Sequence, residues 1–224
     1  MRGSLYLNPL SYFRKLEGTS GVGREDSNEA IAMWWQPKDI SMVLDVPGIG
    51  RTEITEKDLA APVSMSYNWH ESLNILSLYT MYVSGFEYKE GKFDCEPEGA
   101  AEIERQLAID ARCADLGKFA VVTQAARFIK QFRDALQTQP HKVDGRLVEY
   151  YDEETFHGEI PLPDIPFRKQ KRFAYQKEYR VCVKSRVGSA GPIRLEIGDI
   201  SSFSAKMESS QIPRNFQLKL ESAR

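Results

Sequence analysis

Histidine and cysteine are scarce in this chain, with three of each in 224 residues. Cys95, Cys113 and Cys182 are too few and too scattered for a disulfide framework. Neither they nor the unpatterned histidines have the spacing of a metal site. A reducing, cytoplasmic setting is the simplest expectation. No apolar run approaches the roughly 20 residues of a membrane-spanning helix. Arg14, Lys15 and Glu17 come at once after the short apolar start, unlike a signal peptide. Excess charge of one sign is also missing. Thirty basic residues against 32 acidic ones leave a formal charge of −2, so electrostatic recognition has to be local. Gly-x-Gly-x-x-Gly opening a helix, a phosphate-binding Gly-Lys-Ser/Thr loop and a Gly-x-Ser-x-Gly elbow are all absent.

What remains is an ordinary globular composition, 42% hydrophobic and 28% charged. It suffices for one domain, residues 1–224, with a core of its own. Short strands are expected at Ser4–Leu7, Ile40–Val46, Arg51–Thr55, Val63–Tyr67, Lys118–Thr123, Leu147–Tyr151, Ile193–Ile197 and Phe216–Leu220. Pro47-Gly48-Ile49-Gly50 joins two of them as a turn. Asn74–Val83, ten mostly apolar residues without a breaker, predicts a buried strand in the middle of the sheet. Helical spacing predicts Leu10–Leu16, Pro97–Leu116 and Gln124–Leu136, the last with Phe128, Ile129 and Phe132 inward. Asp26-Ser27-Asn28-Glu29 carries the capping signature of a further helix. Three glycines make 17–25 a candidate mobile lid near the strand that holds Glu178. Residues 152–166, acidic and with three prolines, suggest an exposed connection. Strands and helices in mixed order give an α+β fold.

The stretch 166–184, PFRKQKRFAYQKEYRVCVK, concentrates the chemistry. Arg168, Lys169, Lys171 and Arg172 form a basic run beside Phe173 and Tyr175. Cations and stacking rings of this kind suit a nucleic-acid strand. Gln176 and Glu178, two apart on an expected strand, would share a face. Such a carboxamide and carboxylate can hold one substrate together. A surface salt bridge with Arg180 nearby is the plain alternative for Glu178.

Two resemblances attach to these residues. FAYQKEYR, with GSLYLNPLSYFRKLEG and GREDSNEA near the N-terminus, resembles DUF2971-like bacterial and prophage proteins. In these, an Asn-Asp-x-x-Glu element precedes a W/F-x-Y-x-x-E-Y-R segment. Gln176-Lys177-Glu178 also resembles the Gln-x-Glu element of ADP-ribosyltransferases. That second resemblance implies a split β-sheet with flanking helices and NAD as substrate. It further implies transfer of ADP-ribose to a macromolecular acceptor, nucleic acid or protein, by a toxin or anti-phage effector. A neutralising antitoxin or chaperone protein would be a further partner. Glu178 would stabilise the oxocarbenium ion and Gln176 would orient the acceptor. Arg2 would stand for the first-strand arginine, and Ser77 and Tyr79 for the middle-strand residues, Tyr79 stacking on nicotinamide. Ser77-Leu78-Tyr79-Thr80 departs from the Ser-x-Thr/Ser pattern, and His70 falls in a loop. Tyr12, Arg14 and Arg24, close to Asp26 and Glu29, could clamp a diphosphate. In this mechanism Glu178→Gln abolishes turnover and leaves folding nearly intact. The reading from another class is a non-catalytic protein that holds a nucleotide, a nucleic acid or a partner protein in phage–host conflict.

Overall fold

The computed structural model describes residues 2–15, 26–90, 92–137, 142–184 and 191–212. The expected lid at 17–25, with Arg24, and the expected strand at 216–220 lie outside the described residues. In chain order the elements are β1 Arg2–Pro9, α1 Leu10–Lys15, β2 Ile31–Trp35, β3 Met42–Val46, β4 Gly50–Ile54 and β5 Val63–Ser66. Next come β6 Asn74–Tyr79, β7 Glu87–Lys89, β8 Lys92–Asp94, α2 Pro97–Leu107, β9 Phe119–Thr123 and α3 Ala125–Gln137. The last are β10 Lys142–Leu147, β11 Glu149–Tyr151, β12 Gly158–Glu159, β13 Arg168–Gln170, β14 Glu178–Lys184, β15 Ile193–Asp199 and β16 Ser204–Glu208. The fold is α+β, with small, mostly antiparallel sheets and few helices.

The organising sheet has five strands in the order β10-β14-β6-β1-β15. Strand β6 lies at its centre, as the apolar run predicts. It is shorter than expected, however, ending at Tyr79, and only Asn74 and Ile75 are fully buried. Alternation along β14 divides its side chains between two environments. Tyr179, Val181 and Val183 join Leu7, Leu195, Ile197 and the α3 residues Phe128 and Phe132 in one core. On the other face Cys182 joins Ile75, Trp34, Ile165 and Phe167 in a second core. Phe128 and Phe132 lie one turn apart on α3 and stack at 6.1 Å, so the predicted inner stripe holds for these two, while Ile129 is half-buried.

Three expectations need correction. Asp26–Glu29 starts no helix: residues 27–30 form a turn that runs directly into β2. The capping chemistry is present, since Asp26 Oδ1 accepts the Asn28 N–H at 3.0 Å. The chain then continues as Ile-Ala-Met-Trp-Trp, whose β-branched and aromatic side chains favour an extended conformation packed on both faces. Residues 152–166 are not simply an exposed connection. Ile160, Ile165 and Pro166 are buried, and β12 pairs with β2. Finally, Gln176 is not on the strand. It ends a 3₁₀ turn over Lys171–Gln176, and Lys177 sits in the left-handed region with φ 39° and ψ 54° before β14 begins at Glu178.

Candidate functional site

Lys177 is the hinge of the site. A left-handed conformation is unfavourable for a residue with a Cβ, and local bonds hold it there. The Lys177 N–H donates to Ala174 O at 3.2 Å, and its carbonyl accepts Thr80 N–H at 3.0 Å. Its ammonium donates to the carbonyls of Gln106 and Ala108 at the end of α2. The chain reverses at this residue, so Gln176 and Glu178 meet through a kink instead of strand alternation. The point of meeting is Lys169. Its Nζ donates to Gln176 Oε1 at 2.8 Å and lies 3.5 Å from Glu178 Oε2.

Glu178 and Arg180 are two apart on β14 and share a face. Arg180 is 1% exposed. Its Nε donates to Glu178 Oε1 at 2.7 Å and its Nη1 to Glu29 Oε1 at 2.5 Å and Pro166 O at 2.7 Å. Ser77, directly opposite Arg180 in the β14–β6 register, also donates its hydroxyl to Glu178 Oε1. The Glu178 N–H donates to the Tyr150 hydroxyl at 3.0 Å. Two carboxylates and two cations therefore balance within one buried network. It joins the 26–29 element to the 173–180 segment. Arg14 adds a third tie, donating to the Glu29 carbonyl at 2.7 Å.

Charge states are set by this packing. Burial would raise the Glu178 carboxyl, but Arg180 and Lys169, aided by hydrogen bonds from Arg180 and Ser77, outweigh it and hold the group down to about 2. Burial would lower Arg180, yet Glu178 and Glu29 raise it above the ordinary guanidinium value. Both are ionised at neutral pH. Asp26 behaves oppositely. Burial first, and Glu29 second, raise its carboxyl to about 7, against smaller lowering effects of Lys169, the Asn28 N–H and Arg172. Its Oδ2 is buried without a hydrogen-bond partner among the described residues.

A cleft of about 290 Å³ opens onto this network. Glu178, Gln176, Lys169, Arg180, Ser77 and Glu29 contribute its polar lining, and Tyr6, Asn8, Phe13, Ile75, Leu76 and Leu116 the remainder. The expected site residues divide accordingly. Glu178, Gln176, Ser77 and Lys169 are brought together. Tyr79 is outside the lining; its hydroxyl donates to Ala108 O at 3.3 Å, and burial, then Cys113 and Asp110, push it up to about 12. Arg2 is exposed at the far end of β1, roughly 13 Å along the strand from Tyr6 by the ordinary strand rise. Tyr12 is half-exposed, edge-on to Phe13 at 5.4 Å. His70 is buried, and burial, then Arg14 and Lys184, lower it to about 4.

The basic run is not a free cationic stripe. Lys169 is inside the network, Lys171 pairs with Asp152 at 3.0 Å, and Arg168 pairs with Glu149 at 3.1 Å. Arg172 is exposed, its guanidinium 4.9 Å from the Phe173 ring centre. The sequence put Arg180 beside Glu178 only as a surface salt bridge, whereas the pair is buried in the site, and it gave Asn8 no place there. The Glu-x-Arg spacing on a strand would have indicated Arg180, because i and i+2 share a face. Asn8 lies in β1 on the cleft side.

No helix among the described residues is long and apolar enough to cross a membrane. No protein-family model, curated protein or solved structure matches the chain.

Proposed function

We propose that the cleft binds the ribose of a nucleotide, with NAD as the first candidate and its diphosphate lying away from this wall in solvent, and that the protein acts by holding it. The observation that carries this reading is the balanced ion network on the cleft's polar wall. Glu29 and Glu178 offset Lys169 and Arg180, so that wall has no surplus cation to hold a phosphate. It does offer a carboxylate, a carboxamide and a hydroxyl to a neutral ring with several hydroxyls. Glu178 Oε1 is engaged by Arg180 and Ser77, whereas Oε2 has Lys169 at 3.5 Å. That oxygen keeps capacity to accept from a ribose hydroxyl. A concave site with a few convergent polar groups is the usual form of a small-ligand pocket.

ADP-ribosyl transfer is the second reading, favoured by one observation: Glu178, Gln176 and Ser77 line the same cleft. An ionised Glu178 beside the ribose would favour the cationic transition state, with Gln176 near the acceptor. An Arg and a Lys within 3.5 Å offset part of that charge, which favours binding over transfer. To this second reading belong the ADP-ribosyltransferase-like split sheet, a macromolecular acceptor, a neutralising partner protein and a cytoplasmic role in bacterial or prophage conflict. Calorimetric titration with NAD, adenosine and inorganic phosphate tests the binding reading. Heat with the first two and none with phosphate is expected; phosphate binding alone would overturn it. Incubation with labelled NAD and a cell lysate tests the transfer, which requires a labelled macromolecule.

A further inference from the structure

The opposite face of the same sheet carries a larger cavity, about 470 Å³, between α3 and strands β6, β10 and β14. Its origin is the way α3 is fastened. Gln131 donates its side-chain amide to Ile197 O at 2.5 Å and Asp199 O at 3.1 Å, drawing the helix toward β15. Gly198 makes that approach possible: its φ is +88°, and a Cβ there would lie 2.9 Å from Gln131 Nε2. The β10 side of the sheet is left uncovered. Val143 and Leu147 face the α3 side, yet they are 39% and 38% exposed.

Leu78, Val143, Val181, Phe128, Phe132 and Leu136 make the cavity predominantly apolar. The charged groups around it are of unequal standing. Asp144 also contributes to the lining, but its side chain alternates onto the other face of β10, where Arg146 Nη2 donates to its carboxylate at 2.5 Å. Arg133, one turn along α3 from Ile129, is exposed, lines the cavity and has no ion-pair partner among the described residues. Tyr179 places its hydroxyl over Gly145, where a Cβ would approach it to 2.8 Å. An apolar chamber of ligand size with one uncompensated guanidinium fits an amphipathic monocarboxylate: an alkyl or aryl body inside, a carboxylate at Arg133.

We infer that this cavity is a binding site for an apolar carboxylic acid of medium chain length, separate from the cleft on the opposite sheet face. The test is calorimetric titration of the full chain with decanoate, decanol and acetate, the amphiphiles kept below their aggregation limits. Decanoate binds one to one, decanol binds more weakly, and acetate gives no heat. Arg133→Ala weakens decanoate about fivefold, the size of one modest ion pair, and leaves decanol unchanged. Val143→Trp fills the chamber from its exposed side and abolishes binding of both, with the melting temperature of each variant confirming that it folds. Absence of decanoate binding to the wild type would overturn the inference, as would undiminished binding to Val143→Trp. Equal weakening of decanoate and decanol by Arg133→Ala would overturn the carboxylate assignment. NAD titration of these variants is unaffected, so failure here is distinguishable from failure of the cleft reading.

Discussion

Replacing Asp26 by asparagine should stabilise this protein at alkaline pH and leave it unchanged in acid. Asp26 is 1% exposed, its Oδ2 has no hydrogen-bond partner among the described residues, and Glu29 lies on the same turn. The folded carboxyl titrates near 7 against an ordinary aspartate value of 3.8. Below 3.8 both folded and unfolded states carry the proton, and Asp26 adds no pH dependence. Between 3.8 and 7 the unfolded chain has lost the proton and the folded chain keeps it, so stability falls as pH rises. Above 7 both are ionised and the loss is complete. A separation of that size corresponds to a loss of a few kcal/mol. Asparagine has the shape of the protonated acid, keeps the oxygen that accepts Asn28 N–H, and never ionises. Urea unfolding of both proteins at several values between pH 4 and pH 8.5 should give curves that separate steadily, the variant ahead by a few kcal/mol at the top. Parallel curves, or a variant less stable at pH 8, would refute the assignment of a buried, proton-retaining Asp26.

Other expectations concern the network and its surroundings. Glu178→Gln should cost about 3–5 kcal/mol in denaturant unfolding, because it leaves Arg180 and Lys169 buried with half their countercharge; a loss below 1 kcal/mol would contradict the buried pairing. This differs from the sequence expectation of an innocuous substitution, so activity of that variant has to be read together with its stability. Lys171→Ala, which removes an exposed pair with Asp152, should change stability by no more than about 1 kcal/mol, whereas Lys169→Ala should cost several times that. Gly145→Ala should destabilise by about 1–3 kcal/mol, since its Cβ would meet the Tyr179 hydroxyl at 2.8 Å. Adding Tyr179→Phe removes the atom it meets and should recover much of the loss; a double variant no better than the single one would refute the contact.

The parts legible in the sequence are those where one periodicity dominates. Phe128 and Phe132 disclosed α3, alternation disclosed β14 and β15, and Pro-Gly-Ile-Gly disclosed the β3–β4 hairpin. The parts missed are held by tertiary pairing against weak local preference. Strand β10 is Lys-Val-Asp-Gly-Arg-Leu, poor in β-formers, and exists through its full register with β14. The short strand β13 contains the start of the basic run, and its Lys169 is buried because Gln176 and Glu178 receive its charge, pairings seven and nine residues away that composition cannot signal. Asp26–Glu29 had the right local chemistry for a cap, but the residues after it belong in a sheet. Gln176 and Glu178 were rightly placed together and for the wrong reason: the juxtaposition depends on a left-handed Lys177, and nothing in its identity predicts a positive φ.

The most direct test of the central claim is a calorimetric titration of NAD into wild type and into Leu116→Trp. Leu116 lines the cleft without joining the ion network, so the larger side chain obstructs the ligand and leaves Glu178, Arg180, Lys169 and Glu29 paired. One NAD should bind per wild-type chain and none to the variant, with similar melting temperatures for the two. No NAD binding by the wild type, or equal binding by both, would contradict the claim.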